Sequence, residues 1–319
     1  MLRIGIRIPG CQLDRNIRPF IENLELAHDV GYKAIEICPE DFDAIRTGVL
    51  DRNIASKLSE ILEDYNFEIS VHVPIALNLM NSEFPALHRQ VLSCCLEFTS
   101  EIGGDLMVYH PGRYIDNLEF GRFGKVDMSG TDMESLIEME TVVLKDAAKS
   151  FPNIMIAVEN LRPYVRHSPY SYGEFPERIA EFILKIGLTN VRMMVDTGHL
   201  NLSARFHGFN AIKSVLQTGL EPVHLHINDN HGIATFYTEK DKKGQLPFGR
   251  GDEHIPPGYG TFDFREFLCA FPAFDGRAII ELTEHWFYPV KIRESFYYLS
   301  SIVNHRTTTS NSKKTINKT

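Results

Sequence analysis

Eight apolar runs of strand length punctuate this chain, and at least six of them close on a residue that can ligate a metal ion or carry a proton. They read FEISVHV with His72, DLMVYH with His110, IMIAVE with Glu159, VRMMVD with Asp196, VHLHIND with His226 and RAIIEL with Glu281, beside LRIGIRI and KAIEIC with Glu36. One ionisable side chain closing an apolar strand is usually a satisfied core polar group, and unpaired it costs several kcal/mol. Six at one structural level need a common partner. For imidazoles and carboxylates that partner is one or more divalent cations. Glu159, Asp196, His226 and Glu281 close four successive strands, so their side chains can converge on one ion. Three carboxylates and one imidazole suit Mn²⁺, Mg²⁺, Co²⁺ or Zn²⁺.

His72 in HVP and His110 in HPG are each followed within two residues by a proline, which ends the strand ladder and stiffens the loop base. Each alone also reads as a core histidine bonded to a backbone carbonyl. His199 in DTGHLN lies three residues past Asp196 and can face the same mouth. Asp252 and His254 in GDEHIPPGYGTFDF are two apart, which lets both reach one ion from an extended segment, although a solvated loop reads equally well. His224 shares strand parity with His226 and belongs one layer lower. Glu36 is either an acid or base facing substrate or a plain barrel-interior carboxylate. Arg113, Arg162 and Arg250 lie in or near the loops of these motifs, and with Glu36 they form the expected substrate-binding set, the arginines as a phosphate clamp. Cys38, on the strand of Glu36, reads as packing.

Such residues need a scaffold that brings strand ends together. Between the apolar runs, residues 18–32, 55–66, 84–103, 133–150 and 177–187 carry helical periodicity, and several of these segments stop at glycine, as at Gly31 and Gly103. Eight strand–helix alternations with nearly continuous apolar strands predict an α/β protein with a single (β/α)₈ TIM barrel over residues 1–303, whose chemistry sits at the carboxyl ends of the strands. An open doubly wound sheet would show a Gly-rich first turn, and IPGCQLDRN has no GxGxxG. The long loops 111–132, 160–176 and 228–261 are expected to wall the substrate, and the polar segment 304–319 reads as a disordered tail.

Composition narrows the partners. The chain has 319 residues, 43% apolar and 24% charged, with a net charge of −9 and no basic block, so nucleic acid is not an expected partner. Five cysteines, odd in number and without CxxC spacing, fit a reducing cytoplasm. MLRIGIRIPG lacks the pattern of a signal peptide, and no run is long enough to span a bilayer, so no membrane partner is expected. A homodimer stays open, since barrels with long mouth loops often pair.

Taken together, the motifs resemble the xylose-isomerase-like barrel superfamily, which contains endonuclease IV and many sugar isomerases and epimerases, over residues 1 to about 300. The resemblance to endonuclease IV implies a trinuclear zinc site on His72 of HVPIALNL, His110 of HPG, Glu159 of VEN, Asp196 and His199 of DTGH, His226 of HIND, Asp252 and His254 of DEH, and Glu281 of IEL. Two departures stand against DNA as substrate. Ile75 and Ala76 fall where that enzyme carries an aromatic and a large aliphatic wedge, and EICPED is acidic where it has a basic loop, whereas a flipped nucleotide needs both a filler for the stack and phosphate contacts. The second-strand IE, DTGHLN and DEHIPPGYGTFDF look instead like the small-molecule branch, assigned as sugar or sugar-phosphate isomerases and epimerases. There one metal held by the equivalents of Glu159, Asp196, His226 and Glu281 chelates adjacent oxygens of a ketose, and the two glutamates exchange a proton through an enediolate. The leading expectation is therefore an isomerase or epimerase with catalytic Glu159 and Glu281, one to three divalent ions (Zn²⁺ or Mn²⁺) and a small polyhydroxylated or phosphorylated substrate. The rival is a multinuclear zinc phosphoesterase, and a barrel that only binds or scaffolds is the third reading.

Overall fold

The computed structural model describes residues 2–10, 16–115, 132–239 and 245–316, with side chains through residue 306. Its strands are β1 (Arg3–Arg7), β2 (Ala34–Ile37), a short antiparallel hairpin of β3 (Ile45–Arg46) and β4 (Val49–Leu50), β5 (Glu68–His72), β6 (Leu106–Tyr109), β7 (Met155–Val158), β8 (Val191–Met193), β9 (Val195–Asp196), β10 (His224–Ile227) and β11 (Arg277–Ile280). All but the hairpin form one parallel sheet in the order β8-β7-β6-β5-β2-β1-β11-β10-β9. β8 pairs with β7 and β9 with β10. These two short strands are halves of one strand position, and Met194 between them donates to the Val158 carbonyl at 3.0 Å. The sheet thus closes into the expected barrel.

Helices cover the outside, including Arg18–Val30, Pro85–Glu101, Met133–Ser150 and Pro176–Ile186. Local signals fix their ends. Asp51, Asp132, Asp196, Asn210 and Asp263 cap helix starts through their side chains, and Gly31, Gly187 and Gly208 end helices in the left-handed conformation. Inside, side chains alternate with period two. Leu106, Val108, Ala157 and Met194 fill the lumen, and the next inward positions up the strands are His110, Glu159 and Asp196. At the opposite end Arg3 and Arg277 both grip Glu68, at 2.9 and 2.8 Å, and Arg277 also pairs with Asp105. The site residues therefore stand at the mouth on a filled, plugged barrel.

The last helix runs Pro289–Ile316, past residue 303 and into the polar segment 304–319. That segment holds neither glycine nor proline, so nothing in it stops a helix started upstream. Residues 116–131 and 240–244 of two of the long loops, Cys11 and residues 317–319 lie outside the described residues. Among the described residues no helix is long and apolar enough to cross a membrane.

Gly5 marks a close approach of β1 to β2 and β11. A Cβ there would meet the Ala34 carbonyl oxygen at 2.7 Å and press on Ile279. Gly5→Ala should cost about 1–3 kcal/mol by overpacking, read as a lower thermal midpoint; a wild-type midpoint would contradict this packing.

Candidate metal centre

The mouth gathers its donors from successive strand ends. His72 and Asp196 are the last residues of β5 and β9, His110, Glu159 and Glu281 directly follow β6, β7 and β11, and His226 lies near the end of β10. All six are buried. Of four groups of close donor atoms among the described residues, three lie at the mouth: His72, His110 and Glu159; Glu159, Asp196 and His226; and His199, Asp252 and His254; the fourth, Glu36, His224 and His226, lies beneath them. Glu159 belongs to the first two. Its Oε2 lies 2.8 Å from His110 Nε2 and 3.4 Å from His72 Nε2, and its Oε1 lies 3.2 Å from His226 Nδ1 and 3.4 Å from His199 Nδ1. Glu281 Oε2 joins the second group at 3.4 Å from His226 Nδ1.

Backbone carbonyls set the imidazole tautomers. The Val73 carbonyl 2.6 Å from His72 Nδ1 and the Asn160 carbonyl 2.8 Å from His199 Nδ1 can only accept, so each Nδ1 carries a proton and each Nε2 turns a lone pair toward the centre. A tetrahedral ion with ligands at about 2.0–2.1 Å holds its donors roughly 3.3 Å apart. The spacings in the first two groups straddle that value, and Glu159 Oε2 is buried with no aligned hydrogen-bond donor. These two groups fit a divalent ion each, bridged by Glu159.

The charged groups of the mouth shift one another. Burial alone would raise the Glu159 carboxyl, yet His110 and His226 beside it hold it well below the usual carboxylate range. Burial drives His110 down to about 4, leaving a neutral imidazole suited to ligation. Burial would also neutralise His226, but Glu281, Glu36 and Glu159 hold it well above its ordinary value. Burial raises Asp196, against the pull of His199.

The third group is built differently. Asp252 Oδ2 lies 3.0 Å from His254 Nε2 and 3.5 Å from His199 Nε2, and His254 turns back through a left-handed backbone, φ 45°. Arg162 Nη1 already stands 2.8 Å from His199 Nε2 and 3.4 Å from Asp252 Oδ2. The donors that an ion would need there are engaged by a guanidinium.

The sequence profile of the xylose isomerase-like TIM barrel matches residues 24–302. The chain belongs to the xylose isomerase-like TIM barrel family. Among curated proteins none matches its sequence. Among solved structures, it is similar to a D-tagatose 3-epimerase-like protein, at 19% identity over 97% of this chain and 99% of that one, TM-score 0.70. It is also similar to endonuclease IV from Thermus thermophilus, at 15% identity over 95% and 99%, TM-score 0.62. A third likeness is another Thermus thermophilus protein, soaked with ZnCl₂, at 18% identity over 95% and 98%, TM-score 0.61. At these identities the likenesses carry the fold of this xylose isomerase-like barrel, not its reaction.

A cavity of about 890 Å³ opens above the centre. Arg113 and Arg162 line it, although Arg113 spends two donors on the Ile75 and Ala76 carbonyls at 3.0 and 3.2 Å. The other two residues of the expected substrate set are not part of its lining. Arg250 pairs with Glu239 at 2.9 Å and stacks on Phe248, and it does not line the cavity. Glu36 sits level with Ser70, two residues below His72, where it accepts from Ser70 Oγ at 2.9 Å and lies 2.8 Å from His226 Nε2 and 3.1 Å from His224 Nε2. It holds His226 from beneath, with His224 one layer down.

Several positioning residues escaped the sequence reading. Asn160 ties β7 to β9, giving and taking hydrogen bonds with the Asp196 backbone at 3.0 and 2.8 Å. Asn228 donates to Asp196 Oδ2 at 2.7 Å. The Asp229 carboxylate accepts from the N–H groups of Asn230, Gly258, Gly260, Thr261 and Phe262, which clamps the loop carrying Asp252 and His254. Arg7 and Glu40 line the cavity, Arg7 paired with Asp41 at 3.1 Å. Glu140, on the helix Met133–Ser150, accepts from Tyr109 OH at 2.6 Å and Gly112 N–H at 2.7 Å and so pins the turn that follows His110.

Two outcomes follow from these outer contacts. Glu36→Gln should weaken zinc affinity by roughly 10–100-fold, the usual cost of losing an outer carboxylate partner, measured by competition with a chromophoric chelator; unchanged affinity would remove Glu36 from the centre. Burial pushes Glu140 from 4.5 up to about 7. The folded state thus binds its proton more tightly, so this group favours folding most below about pH 4.5 and loses that contribution as pH rises to 7. Glu140→Gln should change the stability difference from wild type by on the order of 3 kcal/mol across that range, and parallel urea-midpoint profiles would contradict it.

Proposed function

We propose that this chain is a metal-dependent phosphoester hydrolase whose centre is bridged by Glu159 and which acts on a small, phosphorylated, polyhydroxylated molecule. The observation that carries the reading is the disposition of Glu159. A one-metal epimerase needs one oxygen of this carboxylate turned toward a substrate carbon. Here Oε2 is turned into His110 and His72 and Oε1 toward His226 and His199. This disposition supports a bridging carboxylate over one that takes a substrate proton.

Ions held by His72, His110, Glu159, Asp196, His226 and Glu281 would supply Lewis acidity toward a phosphoryl oxygen and would ease deprotonation of water. The chain's own residues do the rest. Arg162, lining the cavity, offers N–H groups to an anionic oxygen. Tyr164 and Tyr170 line the same cavity. The cavity volume suits a small molecule. Glu40 and Asp41 on its rim oppose a polyanionic strand, and Ile75 and Ala76 give it no stacking wedge.

The isomerase or epimerase reading keeps one specific support. Glu281 faces Glu159 across His226, with Oε2 3.4 Å from His226 Nδ1, so two glutamates flank one ion position.

Metal-stripped protein resupplied with zinc or manganese should cleave bis(p-nitrophenyl) phosphate or p-nitrophenyl phosphate. Glu159→Gln, His72→Ala and His110→Ala should each cut turnover by more than the roughly 10–100-fold that an outer partner costs. Deuterium uptake from D₂O beside a ketose carbonyl, with no ester cleaved and mild histidine variants, would establish the epimerase instead.

A further inference from the structure

His199, Asp252 and His254 have the residue types of a third cation pocket, yet a cation already stands in it. Arg162 Nη1 lies 2.8 Å from His199 Nε2. Because His199 Nδ1 gives its proton to the Asn160 carbonyl, the Nε2 lone pair is the single acceptor left on that ring. A zinc ion would sit on that lone pair at about 2.0–2.1 Å, overlapping the guanidinium nitrogen.

Nor is the arginine a loosely held surface group. Its side chain is 17% exposed. The guanidinium stacks 5.5 Å above the Tyr164 ring centroid, and the Tyr170 hydroxyl donates to the Arg162 carbonyl at 2.9 Å. Leu161 beside it is fixed by a 2.7 Å backbone bond to Gly173. Its charge is permanent, since a guanidinium does not deprotonate in a protein.

Resting on the metal-centre reading above, we propose that Arg162 takes the place of a third metal ion, so that the centre loads two ions and a tethered guanidinium completes it. Asp252 then serves as the counter-ion of Arg162, and the remaining Arg162 donors face the cavity, where they would hold an anionic oxygen of the substrate.

Zinc counting tests this without any assay of turnover. Full-length protein saturated with zinc, freed of excess by gel filtration and analysed by elemental mass spectrometry should hold two ions per chain. Arg162→Met, which keeps an apolar stem against Tyr164, should hold three, and adding His254→Ala to it should return the count to two. Asp252→Ala in the wild-type background should leave two, a variant that keeps the test valid if Arg162 changes do not fold. Three ions in the wild type, falling to two in Asp252→Ala, would overturn the proposal while leaving the metal centre standing. Two ions in both wild type and Arg162→Met would overturn it as well, since the pocket would then not be cation-competent. A wild type that binds fewer than two ions would sink the metal-centre reading itself.

Discussion

A buried carboxylate stays charged only where hydrogen-bond donors, positive charge or metal stand against its oxygens, and the mouth of this barrel is organised around that constraint at Glu159. The side chain is 1% exposed and has four imidazoles within 3.4 Å, from His72, His110, His199 and His226. Three of these imidazoles come from the ends of different strands, and His199 from the first turn of the helix after β9. Closure of the barrel, through the divided strand β8 and β9, is therefore what makes the charge balance attainable. Without Met194 and the paired halves on either side of it, Asp196 and His199 would not face Glu159.

Around that carboxylate the supporting contacts form a second layer whose common function is orientation. The Val73 and Asn160 carbonyls fix tautomers, Glu36 holds His226 from below, and Asn228 and Asn160 fix Asp196. Asp229 gathers backbone N–H groups of the loop 258–262 and so steadies the segment of Asp252 and His254. Donors held this way need little reorganisation to receive an ion, which is the structural basis for affinity at a preformed site.

Much of this was legible in the chain. Apolar runs ending in His, Asp or Glu announced both the barrel and the ring of donors, because strand parity puts residues such as Val108 and His110 or Ala157 and Glu159 on one inward face. What parity cannot convey is height, which depends on how neighbouring strands are staggered. Glu36 ends an apolar run as the others do, yet its register with Ser70 sets it below the mouth. Loop residues were harder still. Arg113, Arg162 and Arg250 look alike as letters, and their fates were decided by the partners that folding brought to them: two carbonyls, a histidine with an aspartate, and Glu239. Glu140 lies 30 positions beyond His110 on a helix, and only tertiary packing reveals that it pins the His110 turn.

The most direct measurement is anomalous diffraction at the zinc edge from crystals grown with the metal. One peak is expected among His72, His110 and Glu159 and another among Glu159, Asp196, His226 and Glu281, with Glu159 between them. A lone peak that leaves Glu159 Oε2 facing open cavity, or peaks away from Glu159 altogether, would contradict a centre bridged by this carboxylate.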